Sequence, residues 1–598
     1  MPTDLLTRWG RALDPDHVLP EHPRPQLVRD SYLNLNGRWD YAITSADASS
    51  VPGRWDGEIL VPFSPEAPLS GVGRQLQPDE LLWYHRLFTL PGDFRSRSTD
   101  RVLLHFGAVD QACTVWVNGV VVGRNRGGYL PFTCDVTDAL EPGDNTLVVR
   151  VRDLSDGRGP SSGKQRLDRG NIWYTAQSGI WQTVWAEAVP ATYVEQLTLT
   201  PLLDQGAVEV TVHSAGEPVR RRRARVTVSA GGHDLVSAKI AVGEPTVLRL
   251  GEVRPWSPEY PFLYDVEVGL GKDVVRSQVG IRSFGTGPDE DGIPRLLLNG
   301  KPYVHVGVLD QGYWPDGLLT APSDEALVHD IVTMKALGFT MLRKHIKIES
   351  LRWYHHCDRL GMIVWQDFVN GGGKYKPRVM KPPEHRRFST GHFEDHRYKL
   401  FAREGQRGRR EFLEEMRRTV ALLRNVTSLA VWVPFNEGWG QFDANAVTDE
   451  LRALDPTRSI DQASGWHDQG GGDLWSLHVY GRPFVAPPRG PEEHRVLVLS
   501  EYGGYDLDTP GHQWSAQHFG YQHYESTDDL RTAFERLHER ELAPAVRAGL
   551  SATVYTQVSD VEDEVNGLMT YDREVLKLPE EAVRAALSRL RLDRRRED

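Results

Sequence analysis

The chain has 598 residues, 39% of them hydrophobic and 25% charged, with a formal net charge of −12. That length exceeds what one hydrophobic core supports and predicts roughly three to five domains. The acidic balance, with no basic tract beyond Arg220–Arg223 and Arg225, argues against a nucleic-acid partner, and no 18-residue apolar run is present to cross a membrane. Cys113, Cys134 and Cys357 are far apart and odd in number, which excludes a disulfide framework and zinc-ligand spacing. The start, MPTDLLTRWGRALDP, has no apolar signal region, so the expectation is a cytoplasmic protein.

Residues 1–190 read as a β-sandwich. After a lead-in with Pro20, Pro23 and Pro25 come short strands such as Arg101–Phe106, Cys113–Val117, Gly119–Val122 and Asn145–Val151. Turn signals separate them, and Asn118-Gly119 between two apolar runs predicts a hairpin. The aromatics Trp83, Tyr84, Tyr129, Phe132, Trp173, Tyr174 and Trp181 suit a sugar platform, but alternation buries every second residue of a strand, so the expectation for each is core. Residues 191–285 hold about seven period-two strands bounded by Gly and Pro, the pattern of an immunoglobulin-like sandwich. They carry no chemical signal and read as a scaffold.

From Pro302 onward strands and helices alternate. The predicted strands are Tyr303–Leu309, Thr340–Arg343, Met362–Trp365, Leu429–Phe435, Ser459–Ala463, Leu474–His478, Val496–Leu499 and Ala552–Val558. The predicted helices are Ser323–Leu337, Leu351–Leu360, Arg409–Arg424, Ala444–Leu454, Asp528–Val546 and Glu580–Leu592. Eight strands in such an alternation over residues 286–598 predict a (β/α)8 TIM barrel, whose chemistry lies at the carboxyl ends of its strands. In that position stand Asp310, Arg343 and His345, Asp367, Asn436 and Glu437, His478 and Tyr480, and Glu501. Strands four and seven carry the two glutamates and lie across the ring from each other. Their side chains can therefore face each other across the mouth as a carboxylate pair.

Several stretches resemble glycoside hydrolase family 2. They are VWVNGVVVGRNRGGYLPFTCDVT (115–137), VGIRSF (279–284), MKALGFTMLRKHIKIESLRWYHHCDRLGMIVWQDF (334–368), VPFNEGW (433–439) and LSEYGG (499–504). The resemblance implies a jelly-roll sugar-binding domain, an immunoglobulin-like domain and a catalytic barrel in that order. It implies Glu437 as acid/base, Glu501 as nucleophile and Asn436 at the sugar's 2-hydroxyl. Arg343 is expected to keep Glu501 ionised and Tyr480 to hydrogen-bond it. Asp310, His345, Asp367 and His478 are expected around the other hydroxyls, with Trp439 or Trp365 stacking on the ring. The resemblance implies a carbohydrate substrate and a retaining, exo-acting glycosidase that needs no cofactor and no metal; homo-oligomers occur in the family.

Glucuronide-cleaving members carry Asn-x-Lys before a Gly-Ile-Phe-Thr-like run, and here Glu564-Val565-Asn566 precedes Gly567-Leu568-Met569-Thr570. The expected sugar is therefore a neutral hexoside such as a β-galactoside, with galactofuranosides, arabinofuranosides and mannosides as alternatives. A decayed barrel that only binds carbohydrate is the rival class, and retention of both glutamates argues against it. The insert Asn370–Gln406, with Lys374, Tyr375, Lys376, Arg378, Phe388 and Phe393, is expected to wall the pocket, while Asp560, Glu562, Asp563 and Glu564 read as a solvated acidic loop.

Overall fold

A computed structural model describes residues 5–155, 157, 161–217, 222–381 and 392–592. Phe388 of the insert and Arg220 and Arg221 of the basic run lie outside the described residues.

The first unit is a two-layer antiparallel sandwich. A six-stranded sheet faces a four-stranded one, and inward-pointing residues such as Trp39, Leu82, Leu104, Val115 and Val149 fill the space between. The expected hairpin joins Ala112–Val117 to Val120–Arg126, and both Asn118 and Gly119 have positive φ (49° and 80°). That turn twists with its strands, which explains the Asn-Gly pair. The second unit has seven strands in sheets of three and four, with a core of alternating Val residues including Val210, Val226, Val266 and Val275. Arg29, buried, ties the two units together by pairing with Glu187 (2.8 Å) of the first and Asp273 (2.9 Å) of the second.

The third unit is an eight-stranded parallel sheet curled into a barrel. Its strands in chain order are His305–Asp310, Met341–Lys344, Ile363–Asp367, Leu429–Val433, Ser459–Ile460, Leu474–Tyr480, Val496–Gly503 and Ala552–Thr556. Each pairs with its neighbour in ring order, except that strands five and six share no ladder. Asp473 bridges this seam: its N–H donates to the Ile460 carbonyl (2.9 Å) and its carboxylate accepts from the Ile460 N–H (2.8 Å). Strand five is only two residues long, so one Asx-type bridge replaces a ladder. The strands read as unbroken apolar runs because both faces are covered.

The predicted helices form with shifted ends. Ser323 caps the first through its side chain, accepting from the Ala326 N–H at 3.1 Å, and Gly338 leaves it at φ 102°. The helix expected over Asp528–Val546 is broken. It runs Thr527–Leu537, passes through a wider turn at His538–Leu542 and resumes at Ala543–Arg547. Pro544 has no N–H to donate backward, and the wide turn absorbs the missing bond. The final helix stops at Ser588.

The sandwich aromatics divide. Trp83 and Tyr84 are core, as expected. Tyr129, Tyr174 and Trp181 instead pack against Tyr313, Trp439 and Tyr571 of the barrel, so they bind the first unit to the third. Phe132 and Trp173 are only part-buried, Phe132 stacked on Phe106 at the edge of the sandwich core.

At the amino end of strand four, buried Arg458 donates to the Leu429, Arg424 and Val426 carbonyls and pairs with Asp455 at 2.9 Å. Removing one partner of a buried pair costs about 3–5 kcal/mol. Arg458→Ala is therefore expected to lower barrel stability by about that amount, read as a lower denaturation midpoint with the sandwich transitions unmoved. An unchanged midpoint would show that these bonds do not hold strand four.

Candidate active site

The carboxyl ends of strands two, three, four and seven meet at Arg343. Its guanidinium is fully buried and uses every side. Nε and Nη2 reach the two oxygens of Asp367 (3.0 and 3.1 Å). Nη1 reaches Glu501 Oε1 (3.2 Å) and the Ser500 carbonyl (3.0 Å), and Nη2 also reaches Asn436 Oδ1 (2.9 Å). Burial disfavours its charge, but Asp367 and Glu501 more than offset that and hold its pKa above the usual value.

Glu437 follows strand four in a left-handed conformation, φ 50°, with Gly438 at φ 74° behind it. Such a backbone is unfavourable for a non-glycine residue and is held by its surroundings. Here the Glu437 N–H donates to the Ser464 carbonyl (2.9 Å) and the Trp439 N–H to the Asn436 carbonyl (2.9 Å). A Cβ at Gly438 would stand 2.6 Å from the His467 ring, so the turn admits only glycine. Burial raises the Glu437 carboxyl to about 8, with Glu564 adding to the rise and Lys164 and Arg343 opposing it. This carboxyl is protonated at neutral pH.

Glu501 sits in strand seven. Oε1 takes the Arg343 bond and Oε2 accepts from the Tyr480 hydroxyl at 2.7 Å. Its pKa is raised by burial and by Glu437, against His478, Arg343 and Tyr480. His478 Nδ1 lies 2.9 Å from Glu437 Oε1 and 3.3 Å from Glu501 Oε2. Burial lowers His478 to about 4, so it is neutral. Facing atoms of Glu437, His478 and Glu501 all lie within 4.8 Å of one another. That is close to the carboxyl separation of about 5–5.5 Å that suits double displacement, and short of the wider gap that admits a water between acid and base.

The remaining predicted residues take distinct places. Asn436 gives its oxygen to Arg343, while its buried amide nitrogen has no partner among the described residues and is a donor ready for a ligand oxygen. His345 Nδ1 lies 2.6 Å from Asp367 Oδ2, and burial keeps its pKa well below the ordinary value. Asp367 has both oxygens engaged by Arg343 and His345. Asp310 is likewise satisfied, by Lys344 (2.8 Å) and the Gly312 N–H (2.8 Å). Trp439 meets His345 edge-on and packs at 5.3 Å from Trp173. Trp365 departs from the expectation of a stacking role. It is buried inside the barrel, its indole N–H on His305 Nδ1 at 3.0 Å, because it precedes the strand end by two residues.

The acidic loop after strand eight is also not solvated. Asp560, Glu562, Asp563 and Glu564 are all buried. Asp560 pairs with Lys577 (2.7 Å) and Asp563 with Arg169 (2.8 Å). Glu562 accepts from the Thr175 N–H (2.9 Å) and Glu564 from the Tyr174 hydroxyl (2.5 Å). The first sandwich therefore docks on this loop and brings in two features that motif reading did not find. One is the coupling of Glu564 to Glu437. The other is Lys164, buried, with its Nζ 5.6 Å from the Trp439 ring and 5.4 Å from that of Tyr174 and coupled to Glu437. Among the described residues, Lys164 Nζ meets these ring faces and is paired with no carboxylate. No spacing rule links residue 164 to residue 437. The insert does border the site: Tyr375 stacks on Trp173 at 5.9 Å, and the Val379 carbonyl accepts from Trp466, whose ring meets His478 edge-on.

Sequence comparison matches three family descriptions in order: "Glycosyl hydrolases family 2, sugar binding domain" over residues 26–188, "Glycosyl hydrolases family 2" over 192–282, and "Glycosyl hydrolases family 2, TIM barrel domain" over 294–485. The last match ends before Glu501. A β-galactosidase of Klebsiella pneumoniae (strain 342) is 25% identical, covering 83% of this chain and 51% of its own length. One from Pectobacterium atrosepticum is 26% identical, covering 82% and 47%. The chain thus spans about half the length of these curated relatives. Among solved structures, a β-D-glucuronidase of Dictyoglomus thermophilum superposes with a TM-score of 0.70 at 16% identity, covering 95% of this chain and 98% of that one. A β-galacturonidase of Eisenbergiella tayi gives 0.67 at 18%, covering 96% and 98%. These structures share its three-part fold. With successive family matches across all three units, the chain belongs to glycoside hydrolase family 2.

Proposed function

We propose that the protein is a retaining, exo-acting glycoside hydrolase. The observation that carries this reading is the carboxyl pair itself: a protonated Glu437 and an Arg343-held Glu501, with facing oxygens within 4.8 Å. In the first step Glu437 gives its proton to the glycosidic oxygen while Glu501 attacks the anomeric carbon. The aglycone leaves and a glycosyl ester forms on Glu501. In the second, Glu437, now a carboxylate, takes a proton from water as the water displaces the ester. The amide nitrogen of Asn436 is placed to bind the 2-hydroxyl. Tyr480 steadies Glu501, His478 bridges both acids, and His345 with Asp367 and Asp310 with Lys344 brace the pocket floor. Trp439, Trp173 and Tyr375 form an aromatic cluster to meet the sugar and its leaving group, and the packing of Trp173 from the first sandwich on Trp439 of the barrel supports exo action.

The sugar we propose is neutral and β-galactoside-like. Arg343 is shared between Asp367 and Glu501, and Glu564 adds a further carboxylate near Glu437, so a sugar carboxylate would meet repulsion. The β-galactosidase relatives support the same choice. Lys164 favours a second reading, a uronic acid, because an ammonium on a largely buried side chain without an ion pair suits a carboxylate ligand.

Glu501→Ala is expected to lose at least about 10⁴-fold in kcat on the aryl glycosides the wild type cleaves, and survival of activity would sink the nucleophile assignment. For Glu437→Ala, azide should restore release of an activated aryl leaving group. In the wild type, activity should fall as pH rises through about 8, because the acid is then unloaded, and this limb should vanish in Glu437→Ala. Lys164→Gln separates the sugars. A neutral substrate should lose about tenfold in kcat/KM, a single neutral-ligand hydrogen bond, whereas loss of all measurable cleavage of a uronide that the wild type prefers would overturn the neutral assignment.

A further inference from the structure

Below the two glutamates a file of hydroxyl groups leads away from the pocket. His478 Nε2 lies 2.9 Å from Ser464 Oγ. Ser464 Oγ is 2.9 Å from Ser500 Oγ, which is 2.5 Å from Ser476 Oγ. Ser476 Oγ reaches Asp461 Oδ2 at 2.9 Å. Every member is buried, and Asp461 Oδ1 has no partner among the described residues. Ser500 has one further acceptor, the Leu477 carbonyl, at a longer 3.2 Å. The file joins the ends of strands five, six and seven, and its other end is the His478 Nδ1 that touches Glu437 and Glu501.

A serine hydroxyl donates one hydrogen bond, so such a file has two senses. When all donors point to an ionised Asp461, His478 carries its proton on Nε2. Its bare Nδ1 then accepts from a protonated Glu437. When Asp461 holds a proton, the donors point the other way, His478 carries its proton on Nδ1, and that N–H faces a carboxylate. The two senses hold the same number of protons. Passing between them breaks the O–H of Glu437 and forms one on Asp461. His478 gains a proton at Nδ1 and loses one at Nε2, and each serine passes one on and takes one up. No further reactant is consumed.

We propose that Asp461 is the remote end of a proton relay, through Ser476, Ser500, Ser464 and His478, that sets whether Glu437 is loaded. Its ionised form keeps the acid loaded, and the choice of His478 tautomer carries the message. This rests on Glu437 being the acid of the reaction above. Burial raises Asp461 to about 7, so it changes state in the range where Glu437 must stay protonated. The charged groups around the relay are Arg343, Asp367 and Asp468 at Asp461, Glu501, Arg343 and Asp367 at His478, and Lys164, Arg343 and Glu564 at Glu437. No serine of the file adds a charge, so cutting it tests the hydrogen-bonded path alone.

The test compares Ser500→Ala, Asp461→Asn and the double variant. Ser500→Ala keeps every charge and leaves only the longer 3.5 Å contact between Ser464 Oγ and Ser476 Oγ, which weakens the path and frees His478 to put its proton on Nδ1 and favour an ionised Glu437. The basic limb of kcat/KM is expected to move to lower pH by about one unit, a tenfold loss on the far side of the limb. Asp461→Asn should move it the same way, and the double variant no further. Selective ¹⁵N labelling of histidine, with His478→Gln to assign the signal, reports the tautomer directly: Nε2–H in the wild type above neutral pH, and loss of that preference in Ser500→Ala. Ser476→Ala removes the one serine that reaches Asp461, through which both routes pass, and gives the full cut whether or not Ser500→Ala folds. A limb and a tautomer that both stay put in folded, active variants would overturn the relay. The tautomer is also read in Glu437→Gln without turnover, so a wrong acid assignment and a wrong relay give different results.

Discussion

A single buried cation organises this site. Arg343 is fully enclosed and its guanidinium meets Asp367, Glu501, Asn436 and the Ser500 backbone, so four strand ends are fixed to one planar group. An ion this deep is tolerable only with its partners in place, because desolvation costs several kcal/mol per charge. The partners are equally dependent. Without Arg343, Glu501 and Asp367 would be two carboxylates facing each other in a dry pocket. The planar fork of arginine, rather than a point charge, is what lets one residue hold two carboxylates and an amide at once.

That arrangement pushes the two glutamates toward different tasks. Both are raised by burial. Glu501 receives the guanidinium, the Tyr480 hydroxyl and the nearby His478 ring. Glu437 receives no direct cation, only the more distant Lys164 and Arg343, and a like charge in Glu564. Two chemically identical side chains therefore meet different surroundings, which is the condition that sets the roles of a carboxyl pair apart. Strain at Glu437, with its positive φ, is held by Gly438 and by the bond to Ser464, and fixes where its carboxyl points.

Much of this was legible from the residues. The barrel strands are buried on both faces and so read as short apolar runs, and the carboxylates stand at their ends. Strand five was visible only as Ser459–Ala463 because two paired residues and an Asp473 bridge do the work of a strand. Strand ends slipped by up to four residues, and the helix around Pro544 broke where one proline removed a donor. What could not be read lies in contacts between units. Lys164 belongs to the first sandwich and Glu437 to the barrel, and no local pattern connects them. Asp560 to Glu564 looked like a solvated loop because their partners, Lys577, Arg169, Thr175 and Tyr174, are distant in sequence. Trp365 and Trp439 were both candidates for stacking on the sugar, Trp365 the weaker one, and the structure places Trp365 inside the barrel and Trp439 against the first sandwich.

The central claim is that the close pair Glu437 and Glu501 runs a double displacement. The stereochemistry of the first sugar released tests it most directly. With an aryl β-glycoside that the enzyme cleaves, proton NMR in the first minutes should show the β-anomer of the free sugar, with the α-anomer growing in only by mutarotation. The α-anomer appearing first would mean a single displacement by water, and would contradict a site whose carboxyl oxygens lie within 4.8 Å.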